Sequence, residues 1–147
     1  MTKEVKIIPR EIHLFHIDVV EISIKELSTD KSGEFKVNVA HTIMHNLKEQ
    51  RLKIGLNIEL NGENHSEEGK ANFVIDFHFH IDNLKNFYSI NEQNKPVFSG
   101  LLVATLLGLS FSTARGIIFE RLAGTSLKGM ILPVVDPKMI LQQKRMK

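Results

Sequence analysis

Apolar and polar side chains alternate strictly over three stretches of the chain. Phe35, Val37, Val39, His41, Ile43 and His45 take every second position, with Lys36, Asn38, Ala40, Thr42, Met44 and Asn46 between them. Leu52, Ile54, Leu56, Ile58 and Leu60 repeat the pattern against Lys53, Gly55, Asn57 and Glu59. Ala71, Phe73, Ile75, Phe77, Phe79 and Ile81 alternate with Asn72, Val74, Asp76, His78, His80 and Asp82. Successive side chains of a strand point to opposite faces, so a period of two predicts three strands, each apolar on one face. An earlier strand, or bent strand pair, is predicted over about residues 12–27. Its phase slips between Val19-Val20 and Ile22-Ser23-Ile24, which predicts a bulge or a bend.

The segments between these strands carry turn residues. Ser28-Thr29-Asp30-Lys31-Ser32-Gly33 links the first two strands, Asn46-Leu47-Lys48-Glu49-Gln50 the next, and Asn61-Gly62-Glu63-Asn64 begins a hairpin. Such short links predict antiparallel pairing, because parallel strands need long crossovers. After Pro96 the pattern becomes helical, with Gly108 as a candidate break and Gly124 as a stop. Asp136-Pro137 is placed to start a last helix, through an N-cap followed by proline. The fold class that follows is α+β: a four-stranded antiparallel sheet followed by two to three helices packed on one face. Residues 1–147 form one expected domain, with a short basic tail at about 142–147.

Composition narrows the chemistry. There are no cysteines, so thiolate nucleophiles, thiolate metal sites and disulfides are excluded. A net charge of +2 hides an uneven distribution, with Lys138, Lys144, Arg145 and Lys147 at one end and an acidic excess in the middle. No aromatic side chain interleaves that tail, so nucleic acid is not an expected partner. The first residues lack the apolar run of a secretory signal. Residues 97–114 carry no charge, near the lower length for a membrane span. A buried helix explains the same composition, and no membrane insertion is expected.

Catalytic patterns are missing: no nucleophile elbow, no phosphate loop and no dinucleotide glycine motif occur. Glu67-Glu68 is expected at an exposed hairpin tip. His78 and His80, two apart on a strand, share a face with Asp76 and Asp82 and are weak metal candidates. His13, His16 and His65 fall into no ligand spacing, and His41 and His45 are expected to be partly buried. No cofactor is expected, and the chain is not expected to be an enzyme. What stands out is apolar surface: alternating strands plus a helix that is apolar almost all round exceed what one thin layer pair conceals. Such surface marks binding or self-association.

Several local motifs are similar to those of SecB, the bacterial export chaperone family. Phe111-Ser112-Thr113-Ala114-Arg115 resembles its Phe-Pro-Tyr-Ala-Arg, and Gly124-Thr125 with Leu127 through Pro133-Val134 resembles its Gly-Thr-Phe-Pro and Leu-Ala-Pro-Val. Tyr88-Ser89-Ile90 is similar to its Phe-Ser-Ile, and Glu21-Ile22-Ser23-Ile24 to its Asp-Ile-Ser-Phe. The likeness spans about residues 14–141. It implies a cytoplasmic homotetramer, a dimer of dimers, that holds unfolded clients in apolar grooves in the service of folding or protein transport. Ile22, Ile24, Phe35, Val37 and Val39 would line such a groove, with Phe119 closing it. Ile75, Phe77 and Phe79, with Leu102 and Leu106 of the helical region, would form the oligomer interface. Glu21 and Asp76 match acidic positions that engage the motor ATPase SecA. Lys25 reverses a third, and the short basic tail departs from the family, so a SecA-type partner is not favoured. Guarding one aggregation-prone antitoxin, or serving as an adaptor for one partner, is the alternative role.

Overall fold

The three alternating stretches are strands, and their apolar rows face one way. The structure, a computed structural model, describes residues 6–25, 35–62, 69–137 and 139. Strands β1 (Ile12–Lys25), β2 (Phe35–Asn46), β3 (Arg51–Gly62) and β4 (Lys70–Ile81) form one antiparallel sheet. The link at residues 26–34, Glu67-Glu68 and the basic tail lie outside the described residues.

Strand order across the sheet is β1-β4-β3-β2. The first two strands are therefore not neighbours. β2, β3 and β4 run as consecutive hairpins and β1 lies beside β4, a Greek-key arrangement. Both edge strands thus come from the start of the chain, and the two most apolar strands take the centre. β1 meets β4 with two register shifts, which leave Phe15 and Val20 without a partner across the ladder. The second is the phase slip visible in the sequence.

A two-stranded hairpin, β5 (Tyr88–Ile90) with β6 (Pro96–Phe98), then leads into a single helix, α1 (Gly100–Leu122). Pro96 belongs to β6 and does not open the helix. Ser99 caps it instead: its hydroxyl accepts from the Leu102 amide at 3.4 Å, and its own amide donates to the Phe87 carbonyl at 2.6 Å. Thr105 and Thr113 return their hydroxyls to the carbonyls of Leu101 and Leu109, so these two polar side chains sit on an apolar helix with their hydrogen bonds made. α1 is the only α-helix with assigned bounds among the described residues. Of the last expected helix only its opening turn is described, with the Met139 amide donating to the Asp136 carbonyl at 2.9 Å.

The expected break at Gly108 does not occur. A glycine inside a helix costs only about 1 kcal/mol, and here it serves packing. A Cβ at position 108 would stand 3.0 Å from Pro137 Cγ. The glycine lets the C-terminal segment lie against the helix, and Arg115 Nε holds that segment by donating to the Leu132 carbonyl at 3.0 Å.

One face of α1, including Leu102, Leu106, Phe111, Ala114 and Ile118, is buried against β3 and β4. The alternate side chains of those strands, Leu52 to Leu60 and Ala71 to Ile81, are closed from solvent. By length and composition α1 is long and apolar enough to cross a membrane, yet 44% of its most apolar window is buried inside this fold. The sheet accounts for part of its apolar character.

This burial corrects one expectation. Ile75, Phe77, Phe79, Leu102 and Leu106 have no exposed surface within a single chain. They cannot touch a second copy unless the core opens, so they are core residues of the single chain. Phe77→Ala is accordingly expected to destabilise the single chain by about 3–5 kcal/mol, read by denaturant unfolding, and not simply to shift oligomeric state in a folded protein. Gly108→Leu is expected to lift Pro137 from the helix at a cost of about 1–3 kcal/mol. Hydrogen exchange should then rise over residues 131–137 while β3 and β4 stay protected.

Candidate functional site

A helix with its side chains is about 10–12 Å across, and strands lie about 4.8 Å apart. One helix therefore covers two strands of a four-stranded sheet, and α1 rests on the central two, β3 and β4. The helix-covered face is left incompletely closed along both margins. On the β1 margin Leu14 and Ile17 are exposed, and Val19, Ile22 and Ile24 are partly buried. On the β2 margin Phe35, Val37 and Ile43 are partly buried, while Val39 is nearly closed.

The candidate client-binding residues of the strands, Ile22, Ile24, Phe35, Val37 and Val39, lie on this face. Register aligns them: Ile24, Ala71, Leu60 and Val37 form one cross-strand rung, and Ile22, Phe73, Ile58 and Val39 the next. Strand order, however, puts Ile22 and Ile24 on one margin and Phe35, Val37 and Val39 on the other. Three strand spacings, about 14 Å, separate them. They make two margins of one face, not one groove between neighbouring strands. Phe119 stands on α1 with 45% of its surface exposed, so it leaves the apolar surface open instead of closing it.

Further apolar surface surrounds these margins. Phe15 and Val20, the two bulged residues of β1, are 48% and 54% exposed. Alternation does not predict their exposure, because a bulge takes a residue out of phase. Leu101 and Leu109 emerge from the solvent side of α1. A cleft of about 390 Å³ runs between α1 and the C-terminal segment, lined by Thr105, Gly108, Leu109, Ser112, Val134 and Pro137.

The opposite face of the sheet is polar. Glu21 and Asp76 both lie on it, as the alternation predicts, with Asp18 directly across from Asp76. Lys53 lies 3.8 Å from the Asp76 carboxylate and offsets part of its charge. His78 and His80 share this face, but their close partners are across the strand pair and not each other. The His16 and His78 rings stand 5.1 Å apart, and those of His13 and His80 5.9 Å apart. Among the described residues, one group of ligand atoms converges tightly enough for a metal ion: His13, His80 and Asp82. It includes His80, leaves out His78 and recruits His13, which had no spacing signal. His41 is fully buried and His45 exposed, where both were expected to be partly buried.

No protein-family profile matches the sequence, and no curated relative matches it. Among solved structures the chain is similar to the Rv1957 SecB-like chaperone of Mycobacterium tuberculosis, determined in complex with a ChAD peptide from the Rv1956 HigA1 antitoxin. The TM-score is 0.65 with 10% sequence identity, over 86% of this chain and 91% of that one. At that identity the likeness is one of architecture: a four-stranded antiparallel sheet followed by one long helix and 3₁₀ turns. This chain has the α+β fold of a SecB-like chaperone.

Proposed function

We propose that this protein is a SecB-like chaperone that binds polypeptide clients, with no catalytic step. The observation that carries the reading is the pair of apolar margins that one helix leaves open on a four-stranded sheet. Isoleucine, valine and phenylalanine side chains spaced along a strand accept many sequences, because apolar contact is non-directional. Ile22, Ile24, Leu14 and Ile17 contact clients on one margin, Phe35, Val37 and Val39 on the other, and Phe119 from the helix. β1, an edge strand among the described residues, adds sequence-independent backbone hydrogen bonds to an extended segment.

The working form is a cytoplasmic homo-oligomer, a dimer of dimers. Its contacts use the solvent side of α1, where Leu101 and Leu109 are exposed. Protein transport through a SecA-type ATPase is not part of the proposal, because Lys25 and the basic tail oppose the required charge pattern. A second reading is favoured by the neighbour's own ligand, a peptide from an antitoxin: the margins serve one dedicated partner.

Size-exclusion chromatography with light scattering, followed by aggregation of a chemically unfolded client, tests the proposal. An oligomer that suppresses aggregation is expected. Burying each exposed anchor contributes about 1.5–3 kcal/mol, so Leu14→Ser with Ile17→Ser should weaken client binding by tenfold or more. A strict monomer without effect on aggregation sinks the reading. A chain that ignores generic clients but captures a single neighbour-encoded protein in a pulldown establishes the dedicated version.

A further inference from the structure

The polar face of the sheet carries a constellation that client binding does not use. His13 on β1 and His80 on β4 are directly opposed in the antiparallel register. Asp82 follows two residues after His80, and its amide donates to the Glu11 carbonyl at 2.9 Å, which fixes the end of the strand pair. The Asp82 carboxylate spans both rings. Its Oδ2 lies 3.2 Å from His13 Nε2 and its Oδ1 3.3 Å from His80 Nδ1.

We propose that His13, His80 and Asp82 form a three-ligand site for a divalent transition-metal cation of the Zn²⁺ class, bridging β1 and β4. The three ligand atoms lie within 4.8 Å of one another. Tetrahedral zinc with bonds of about 2.0–2.2 Å separates its ligand atoms by roughly 3.3–3.6 Å. Each histidine already stands at nearly that distance from a carboxylate oxygen of Asp82, His13 from Oδ2 and His80 from Oδ1. Rotation of side chains that are 35–48% exposed brings one of those oxygens and the two ring nitrogens to the remaining separations. Two imidazoles with one carboxylate suit Zn²⁺, Co²⁺ or Ni²⁺ and not Mg²⁺ or Ca²⁺, which take oxygen ligands.

The surrounding charges allow it. Arg51, opposite His80 on β3, stacks over the Phe15 ring at 4.9 Å. Lys53 sits beside Asp76. Three ligands leave a coordination position open to water or to a donor from a bound partner. Because the ligands come from two strands, the cation ties the edge strand β1 to the sheet, and binding to the folded state alone raises stability by mass action.

The inference stands independently of the chaperone reading. The test is calorimetric titration of the untagged full chain with Zn²⁺ near neutral pH, with Co²⁺ absorption as a second probe. One ion per chain and a Tm that rises with Zn²⁺ are expected. His13→Gln and Asp82→Asn should each weaken binding by about tenfold or more, while His16→Gln leaves it intact. His13 is exposed and Asp82 partly buried, and circular dichroism of both variants checks that the fold is kept. Histidine ring NMR signals of the wild-type chain answer the question without any variant: those of His13 and His80 must move with Zn²⁺ while His45 stays. Absence of saturable binding, unchanged affinity in both variants, or movement confined to His16 and His78 overturns the proposal.

Discussion

The closure of β3 and β4 under α1 is the constraint on which the rest of the molecule depends. Alternate side chains of those two strands are sealed from water in one cluster with the buried face of α1 and with Leu84, Phe87, Leu127 and Leu132 on either side of it in sequence. Fully burying a large apolar side chain contributes about 1.5–3 kcal/mol, so this layer supplies most of the drive to fold. It also determines what stays open. A second helix on the same face would close the margins and make a conventional two-layer core. With one helix bounded by Ser99 and Leu122, the apolar rows of β1 and β2 are only half satisfied. Surface suited to binding is therefore a direct consequence of having four strands and one covering helix.

Much of this was legible from the chain itself. The period of two marks β2, β3 and β4 nearly to the residue, because each strand buries one face and the buried face cannot slip register. Val20 betrays its bulge by placing two valines in succession. Phe15 gives no such signal, because an aromatic beside Leu14 suits either face until Arg51 and His78 are seen against it. Strand order was not legible. Which strand pairs with which depends on contacts far apart in sequence, and turn residues at 28–33 suit a hairpin and a crossing link alike. Gly108 misled for a different reason: a local helix penalty is weighed against a contact with Pro137 that only the folded chain contains.

The same limit governs the two sites. Alternation places Ile75, Phe77 and Phe79 on the apolar face of β4, but says nothing of what covers that face. Whether an apolar row is core or interface is decided by the helix. On the polar face, spacing along one strand brings out His78 and His80 as a pair. The ligand geometry instead runs across strands: His13 meets Asp82 from 69 residues away, once β1 is known to lie beside β4. Opposed residues on neighbouring strands have Cβ atoms only about 4.5–5.5 Å apart, so cross-strand partners compete well with neighbours along the chain. A single error of strand order thus hides the group while leaving every strand correctly assigned.

β1 belongs to both faces at once, and that gives it a particular standing. Its inward side chains, Leu14, Ile17, Ile22 and Ile24, form one open margin, while outward His13 joins His80 and Asp82. Among the described residues it has a single strand neighbour, β4, so its other side is a sheet edge. A long flat apolar edge of this kind invites uncontrolled pairing with other chains. The bulges at Phe15 and Val20 interrupt that edge and increase its twist. The bulges divide it into short regular runs, residues 12–14, 16–19 and 21–25. An edge divided in this way favours a brief contact with an extended polypeptide over an endless stack of identical strands, which is what a protein with half-open apolar margins requires to stay soluble.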